Sequence, residues 1–363
     1  MKICFIGPAN SAHMVKWCNW FTQKGHEVHI ISFTDNEIKN TNVHFIDVGV
    51  NAQGCDLGKI KYLFAGRKIK QLVDDICPDI INVHYATSYG AAVALSGLNN
   101  YVLSVWGADI YDFPRKSFFH KVLLKYSLKK ANGLFSTSKA MAVEAMKYTD
   151  KQFEITPFGV DTELFNPKKR TRDSDDGDFV VGTVKALTDK YGIKYILEAV
   201  AKVKQETEIP IKLRIAGKGP QEDEYKQLAI DLKIDNITTW LGFISQENAA
   251  KEWANMDVAI VPSTLESESF GVSAVEAEAS GTALIISDIP GLMEATKPGY
   301  SSIVVKRNNS DEIKEALIDL YRNNEKKEAM VSYGLKYVAE NYSMGICFNK
   351  IESLFLSYIK NAN

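Results

Sequence analysis

Short apolar runs alternate along the chain with longer stretches in which apolar residues recur at helical spacing. At the start, this pattern predicts a strand over residues 2–6, a turn over 7–11, a helix over 12–24 and a strand over 27–33. Such a βαβ unit joins parallel strands, and its repetition predicts a doubly wound α/β fold. Further strands are predicted at 79–84, 101–105, 133–137, 153–156, 211–215, 237–240, 258–261, 282–287 and 302–305, with another starting at Phe179.

The length of the chain predicts two domains, because 363 residues exceed what one ordinary core holds. Residues 166–178 contain Pro, Lys, Arg, Asp and Ser with almost no large apolar residue, which is typical of a loop or linker. We therefore expect a first domain over residues 1–165 and a second over 166–344. Residues 346–359 have apolar positions at helical spacing and predict a final helix.

The composition is typical of a soluble globular protein, with 45% hydrophobic and 24% charged residues. The first apolar run is broken at Gly7 and Pro8, as expected for a strand and not for a signal peptide. The five cysteines, at positions 4, 18, 55, 77 and 347, have no Cys-x-x-Cys spacing, which favours free thiols in a reducing cytoplasm. The net charge is +5 over residues 1–160 and −7 over the remainder, so we expect an anionic partner on the first half.

One loop combines acidic side chains with a helix start. The apolar run 258–261 predicts a buried strand, and 272–280 predicts a helix that Gly281 ends. Glu268 lies on the connecting loop, and Glu276 lies on the helix. The start of a helix suits a phosphate, and ionised carboxylates accept hydrogen bonds from hydroxyls, so the loop suits a nucleotide-sugar. The alternative that Glu276 and the nearby Glu278 are only solvated helix residues stays open.

These residues resemble the signature of family-4 retaining glycosyltransferases (glycosyl transferases group 1), which have the GT-B fold. The two glutamates are separated by seven residues, with Phe270-Gly271 two positions after the first and Pro262-Ser263 shortly before it. Residues 157–161 also resemble a segment of that family. The resemblance implies two doubly wound parallel-sheet (Rossmann-like) domains facing a cleft, with residues 345–363 packing back on the first domain.

The resemblance also implies roles for individual residues. Glu268 would contact the hydroxyls of the donor sugar, Glu276 those of the ribose, and Lys185 and Lys190 the donor diphosphate. The implied catalytic residues are Glu268, Lys190, Lys185 and Asp109. The implied donor-binding residues are Glu276, Phe270, Gly271, Val272, Gly217 and Gly242. The implied acceptor-side residues are Ser11, His13, His84 and Trp106.

The chain departs from the family pattern at two positions. Trp106 stands where many relatives have a His that reaches the sugar near its C6 hydroxyl, and Lys185 stands where they have Arg. We expect that the C6 contact is either absent or made by Asp109; alternatively, Trp106 packs and Asp109 caps a helix. A lysine keeps the charge of an arginine but loses its bidentate geometry. Ser11 and His13 can also be solvated or bonded locally.

Residues 114–130 predict a basic amphipathic helix. Lys121, Lys125 and Lys129 recur every four residues, while Phe119, Val122, Leu123 and Tyr126 occupy another face. A second basic cluster contains Lys59, Lys61, Arg67, Lys68 and Lys70. Relatives that act on lipid-linked acceptors use such a helix to bind an anionic membrane, so the three helix lysines are expected to face a membrane. A solvated helix face is the alternative.

The expected function is therefore retaining glycosyl transfer from a nucleotide-sugar, UDP-linked by default, to the hydroxyl of a glycan or lipid-linked acceptor. The product would be a cell-surface polysaccharide or a lipid-linked oligosaccharide, made in the cytoplasm at the inner face of the plasma membrane. No cofactor, metal or nucleic acid is expected; Asp175, Asp176 and Asp178 lie in the predicted linker, with no strand to position a metal site. The alternatives are a nucleotide-sugar 2-epimerase of the same fold and an inactive glycan-binding scaffold.

Overall fold

The computed structural model describes residues 1–49, 61–173 and 177–362. The chain forms two compact units, one comprising Met1–Phe158 with Cys347–Asn363 and the other Gly159–Ile346. These divisions lie at 158/159 and 346/347, where the sequence predicts 165/166 and 344/345. Cys55, Lys59, Asp175 and Asp176 lie outside the described residues.

The first unit contains a parallel sheet of seven strands in the order β3-β2-β1-β4-β5-β6-β7. Its strands are β1 (Lys2–Ile6), β2 (Glu27–Ser32), β3 (Asn42–Phe45), β4 (Ile80–His84), β5 (Tyr101–Val105), β6 (Gly133–Ser136) and β7 (Phe153–Ile155). Its helices are α1 (Ala12–Gln23), α2 (Lys61–Phe64), α3 (Gly66–Ile76), α4 (Tyr89–Ser96), α5 (Ala108–Tyr111), α6 (Phe118–Lys130) and α7 (Lys139–Ala145). Strands β4, β5 and β6 are buried at every position, as expected for a parallel sheet covered on both faces.

The second unit contains a parallel sheet of six strands in the order β10-β9-β8-β11-β12-β13. Its strands are β8 (Phe179–Val184), β9 (Ile211–Ala216), β10 (Thr238–Gly242), β11 (Val258–Val261), β12 (Ala283–Ser287) and β13 (Ser302–Val305). Its helices are α8 (Ile193–Glu206), α9 (Glu222–Asp231), α10 (Gln246–Asn255), α11 (Val272–Ala279), α12 (Pro290–Ala295), α13 (Ser310–Arg322) and α14 (Asn324–Asn341). The prediction of two parallel-sheet α/β domains is confirmed.

The strand order reverses beside β1 in the first sheet and beside β8 in the second. Parallel sheets bind ligands beyond the carboxyl ends of their strands at such a reversal. In the first unit the relevant loops follow β1 and β4, and in the second they follow β8 and β11. The last loop carries Glu268, and the loop after β8 carries Lys185 and Lys190.

The final helix, α15 (Met344–Ala362), supplies core side chains to the first unit. The ring of Phe355 lies 6.4 Å from that of Phe5, 5.6 Å from that of Phe21 and 6.2 Å from that of Phe135. Phe348 packs against Trp17 at 5.6 Å. These aromatic contacts explain the apolar spacing seen in residues 346–359 of the sequence.

Residues 166–173 form a loop, as predicted, and Arg170 and Arg172 anchor this loop because both bind the carboxylate of Asp257, at 3.2 and 2.8 Å. Residues 114–130 are not one helix, since Ser117 adopts an extended conformation and its hydroxyl accepts a hydrogen bond from the N–H of His120. Ser117 is therefore an N-cap, and α6 begins at Phe118.

Candidate functional site

Lys185 and Glu268 form an ion pair between the loops that follow two neighbouring strands, β8 and β11. The ammonium group of Lys185 donates to both carboxylate oxygens of Glu268, each at 3.1 Å. The exposed fractions of the two side chains are only 12% and 8%. Both groups of this buried ion pair are already largely removed from water and hold each other in place. They are therefore preorganised to bind charged or hydroxyl-bearing ligands.

Lys190 lies beside this pair and is held by the same loop. Its ammonium group donates to the carbonyl oxygen of Ser267 at 2.9 Å. The ring of Tyr191 lies close to both lysines, with the nitrogen of Lys185 4.5 Å and that of Lys190 5.4 Å from its centroid. Burial raises the pKa of Tyr191, so its hydroxyl stays neutral. Two cations and one carboxylate therefore meet at one edge of the second sheet.

Backbone contacts lock the two loops together. The N–H of Thr264 donates to the carbonyl of Lys190 at 2.8 Å, and the Thr264 hydroxyl donates to the carbonyl of Asp189 at 3.1 Å. Gly192 has a φ of +68°, and a Cβ there would lie 2.2 Å from the carbonyl oxygen of Pro262. Only glycine permits this approach, so the position of Lys190 relative to Glu268 depends on it.

Helix α11 starts directly after the loop that carries Glu268. Gly271 is its N-cap, with a φ of +78°, and the buried ring of Phe270 packs against Tyr342 at 5.2 Å. Val272 opens the helix, and Glu276 follows one turn later on the same side, half-buried. The role of Glu276 toward a ribose stays a prediction, as does that of the N–H groups of 270–272 toward a diphosphate.

The suggestion that Glu278 is a solvated helix residue is wrong. Its side chain is buried against Gly334 of α14, and burial raises its pKa well above the ordinary value. A carboxyl in such surroundings is favoured in its protonated form. Glu278 follows Glu276 by two residues, so the two side chains leave α11 on different sides. Of the two, Glu276 is the one on the side of Val272, next to the loop that carries Glu268.

A backbone hydrogen bond joins the two predicted glycine turns. The N–H of Gly217 donates to the carbonyl of Gly242 at 2.7 Å, and Gly217 has a φ of +143°. A Cβ on Gly217 would lie 1.8 Å from the carbonyl oxygen of Lys185. Gly217 thus lets the backbone after β9 pass close to that of Lys185, and a role of either glycine in donor binding stays a prediction.

Two buried hydroxyls near the site were not predicted from the sequence. Ser267 and Ser273 are buried, and neither hydroxyl has a hydrogen-bond partner among the described residues. Buried hydroxyls are rarely left unpaired, so both are candidates to bind a ligand that contacts Glu268. The signal in the sequence was the run of serines on either side of Glu268, at 267, 269 and 273.

In the first unit, Asp109 organises the loop after β5. It is almost fully buried, and its carboxylate accepts hydrogen bonds from the N–H groups of Ala86 (3.0 Å), Trp106 (3.1 Å) and Gly107 (2.8 Å). Burial raises its pKa, whereas these backbone hydrogen bonds lower it. Asp109 therefore lies inside α5, whose N-cap is Gly107, and holds the loop through backbone N–H groups, while its catalytic role stays a prediction.

Trp106 belongs to an aromatic cluster with the predicted acceptor-side histidines. Its indole N–H donates to Nδ1 of His84 at 3.1 Å, so this donor is already engaged inside the protein. His84 is fully buried, whereas the ring of His13 stacks on Phe158 at 4.0 Å. His84 does not line the cavity of the first unit, whereas Trp106 and Ser11 do.

A cavity of about 910 Å³ lies beyond the carboxyl ends of the strands of the first sheet. Its lining comes from the loops after β1, β2, β4 and β5, from α2 and from α6. The aromatic members are Phe33, Tyr62, Tyr85, Tyr89, Trp106, Phe113 and Phe119. Polar members include Asn10, Ser11, Thr34, Thr87, Ser88, Asp109, Asp112, Lys116 and His120. A volume of this size accommodates a drug-sized ligand.

We expect His84 to make the first unit acid-sensitive. Burial, and next the nearby His13, lower the pKa of His84 from 6.5 to about 3. The unfolded chain takes up a proton on this ring below pH 6.5 and the folded chain does not, so stability falls as the pH falls from 6.5 toward 3. Between pH 7 and pH 5 the loss is about 2 kcal/mol.

Urea unfolding at pH 7 and pH 5 measures this loss. In His84→Gln the loss between the two pH values should shrink by that amount, whatever the absolute stability of the variant. His120→Gln is the matched control, because His120 lies at the half-exposed start of α6. An equal loss in wild type and His84→Gln would contradict the assignment.

Helix α6 exposes apolar and basic side chains together. Phe118 and Phe119 are 75% and 81% exposed, whereas Leu124 and Leu128 make the buried contacts. Of the apolar residues predicted to occupy another face of this helix than the lysines, Phe119, Val122 and Tyr126 are exposed. The three lysines predicted to face a membrane, Lys121, Lys125 and Lys129, are all exposed. Among the described residues, none of the helices is long and apolar enough to cross a bilayer.

Comparison with known proteins identifies the class of this fold and site. Residues 2–138 match the family described as glycosyl transferase 4-like, and residues 165–337 match that of glycosyl transferases group 1. An uncharacterized glycosyltransferase of Methanocaldococcus jannaschii is 24% identical over 340 residues, which cover 91% of this chain and 89% of that protein. The protein is therefore related to enzymes that transfer sugars.

Solved structures show the same fold. Sucrose-phosphate synthase from Thermosynechococcus elongatus superposes with a TM-score of 0.83 at 16% identity, covering 99% of this chain and 100% of that one. The HepE protein of Anabaena in complex with UDP superposes with a TM-score of 0.81 at 16% identity, covering 98% and 100%. The chain belongs to the glycosyl transferases of group 1 and has the GT-B fold.

Proposed function

We propose that the protein transfers a sugar from a nucleotide-sugar, UDP-linked, to an acceptor hydroxyl with retention at the anomeric carbon. The observation that carries this proposal is the contact between Lys185 and Glu268, with Lys190 on the same loop. The cations suit a diphosphate and the carboxylate suits sugar hydroxyls, and both lie at the strand-order reversal where α/β sheets bind ligands. The HepE structure was solved with UDP, which supports the choice of nucleotide.

In this proposal, Lys185, Lys190 and Glu268 act on the reaction through their charges. As the bond from the anomeric carbon to the diphosphate breaks, negative charge collects on the leaving oxygen, where Lys185 and Lys190 stabilise it. Glu268 orients the sugar through its hydroxyls, and its negative charge favours the oxocarbenium-like sugar. In this proposal the acceptor attacks from the face that the diphosphate leaves, and a diphosphate oxygen takes its proton. No metal is assigned a role in this scheme.

A thermal-shift and turnover experiment separates the proposal from its rivals. We expect UDP and one UDP-sugar from a panel of UDP-glucose, UDP-galactose and UDP-N-acetylglucosamine to raise Tm, since a ligand at 100 times its Kd adds about 2.7 kcal/mol. Epimerisation of the donor without an acceptor would instead identify a 2-epimerase. Failure of every nucleotide to bind would favour the inactive glycan-binding scaffold and contradict transfer.

Replacing Gly192 by Ala should lower both UDP affinity and turnover, about 10-fold or more. The new Cβ would clash with Pro262 and separate the loops that carry Lys190 and Glu268. The control is Gly299→Ala, which has a similar φ of +80° but open space around its Cβ. Titration calorimetry with UDP measures the effect, and equal affinities for the two variants would contradict the coupling of the loops.

We also propose that α6 holds the enzyme on an anionic membrane surface. Residues 113–130 contain six Lys or Arg and no Asp or Glu, and the helix exposes Phe118, Phe119 and Val122 among them. Exposed aromatic and aliphatic side chains between lysines are typical of helices that lie in a membrane interface. The enzyme would then work at the inner face of the plasma membrane, on acceptors for cell-surface polysaccharide or lipid-linked oligosaccharide.

Vesicle sedimentation tests the membrane proposal. Changing Lys121, Lys125 and Lys129 together to Ala should weaken binding to phosphatidylglycerol vesicles by roughly 3 kcal/mol, about 100-fold, at about 1 kcal/mol for each lysine. Salt should weaken binding of the wild type in the same direction.

The matched control changes three exposed lysines of the second unit, Lys194, Lys306 and Lys336, to Ala. This control should bind like the wild type. Binding that is equal on phosphatidylcholine and phosphatidylglycerol, or that both triple variants lose equally, would contradict a specific surface on α6.

A further inference from the structure

The cavity of the first unit has a wall of stacked aromatic rings. The ring of Phe33 is sandwiched between those of Tyr62, at 5.0 Å and 10°, and Tyr89, at 4.3 Å and 8°. The Tyr89 hydroxyl is used internally, because it accepts from the N–H of Phe33 at 3.1 Å. The faces of these rings therefore present apolar surface to a ligand.

A strained residue forms the part of the lining beside Trp106. Tyr85 has a φ of +74°, which is unfavourable for a bulky side chain. Its carbonyl accepts from the N–H of Gly90 at 2.8 Å, and its ring meets that of Trp106 edge-on at 5.4 Å. Strained backbone of this kind persists where the surroundings enforce it, often at binding sites. Tyr85 and Trp106 therefore form a second aromatic pair in the lining of the cavity, which also includes Ser11.

The cavity is continuous with the exposed surface of α6. Phe119 lines the cavity and is also 81% exposed, so it lies at the mouth, and Leu123 joins it one turn later. The adjacent exposed positions of the helix carry Lys121 and Lys125. An apolar molecule that leaves the cavity past Phe119 therefore arrives at a surface suited to anionic membrane lipid.

We propose that the cavity binds the apolar part of the acceptor, and that the acceptor is a hydroxyl-bearing lipid drawn from the membrane across Phe119 and Leu123 of α6. This inference rests on the proposed function. The hydroxyl end of the lipid lies toward Ser11 and Trp106, and its hydrocarbon part lies between the stacked rings and α6. A small water-soluble acceptor would leave this aromatic wall uncovered.

Alkyl glucosides of increasing chain length provide the test. Methyl and octyl β-D-glucopyranoside have the same sugar hydroxyls and differ only in hydrocarbon, and both are used below the critical micelle concentration of the octyl compound. We expect octyl glucoside to bind the whole protein at least about 100-fold more tightly, since several methylene groups leave water. Equal affinities of the two glucosides would overturn the proposal.

Two neighbouring phenylalanines give a matched pair of variants. Phe119→Ser should weaken octyl glucoside binding about 5-fold or more, because a large apolar side chain is lost from the mouth. Phe118→Ser is the control: Phe118 is 75% exposed on the same helix but does not line the cavity. Equal effects of the two variants, or none from Phe119→Ser, would contradict a binding site at this mouth.

A third variant, together with UDP as a second ligand, distinguishes a failure of the lipid-acceptor proposal from a failure of the proposed function. Tyr62→Ser, inside the cavity, should weaken octyl glucoside binding and leave UDP binding unchanged, since UDP is assigned to residues of the second unit. If UDP fails to bind any variant or the wild type, the proposed transfer fails, whatever the glucosides do. If UDP binds and alkyl chain length has no effect, only the lipid acceptor is excluded.

Discussion

Glu268→Gln is expected to lower turnover about 100-fold or more while leaving UDP affinity unchanged or tighter. Gln keeps the shape of the side chain, and its amide oxygen can still accept from Lys185, so the loop is retained. What is lost is the negative charge that opposes the developing positive charge on the sugar. The same change weakens the attraction between residue 268 and the ammonium group of Lys185, which lies 3.1 Å from both carboxylate oxygens of Glu268.

This split between turnover and affinity distinguishes a role in the reaction from a merely structural one. Steady-state kinetics with the preferred UDP-sugar and calorimetry with UDP supply the two readouts. The control is Glu266→Gln, two residues earlier on the same loop, where the carboxylate is 43% exposed and pairs with Arg307 at 3.6 Å. Near-normal turnover in Glu268→Gln would remove the main support for the proposed function.

Lys190→Ala should lower kcat/KM about 100-fold or more and also weaken UDP binding. Its ammonium group is held against the carbonyl of Ser267 and is proposed to neutralise the leaving diphosphate. Unlike Glu268→Gln, this change removes an attraction that is present in both the ground state and the transition state. The two variants should therefore move UDP affinity in different directions.

Two further variants separate the effect of the positive charge at residue 190 from the effect of its position. Lys190→Arg should recover part of the lost activity, because it keeps the positive charge. Lys194→Ala, four residues further on, is the control, since Lys194 is 56% exposed and its nearest carboxylate, in Glu198, is 3.9 Å away. Wild-type UDP affinity in Lys190→Ala would contradict a diphosphate site at this loop.

The sequence predicted every described strand except β3, whose two ends are exposed, because most of the other strands are buried on both faces. Runs such as Val258–Val261 and Ala283–Ser287, which are buried at every position, are typical of the centre of a parallel sheet. Helix α4, in contrast, is buried at most positions and reads Tyr-Gly-Ala-Ala-Val-Ala-Leu-Ser, so it has no polar face and gave no helical period. Residues 166–173 lacked apolar residues because their contacts are ionic, through Arg170 and Arg172.

For the candidate site, the sequence could indicate residue types but not pairings. The proximity of Lys185 and Glu268, 83 positions apart, follows from the order of β8 and β11 in the sheet. Asp109 was assigned to catalysis by resemblance, whereas its hydrogen bonds are to backbone N–H groups. The aromatic wall at Phe33, Tyr62 and Tyr89 joins three elements distant in sequence, so no local motif could signal it.

A crystal structure of the protein with an unhydrolysed UDP-sugar would locate the donor relative to Lys190 and Glu268. We expect a diphosphate oxygen within about 3.2 Å of the ammonium group of Lys190 and a sugar hydroxyl at the same distance from the carboxylate of Glu268. A nucleotide-sugar bound elsewhere, with Lys185 and Glu268 still paired only to each other, would contradict this expectation.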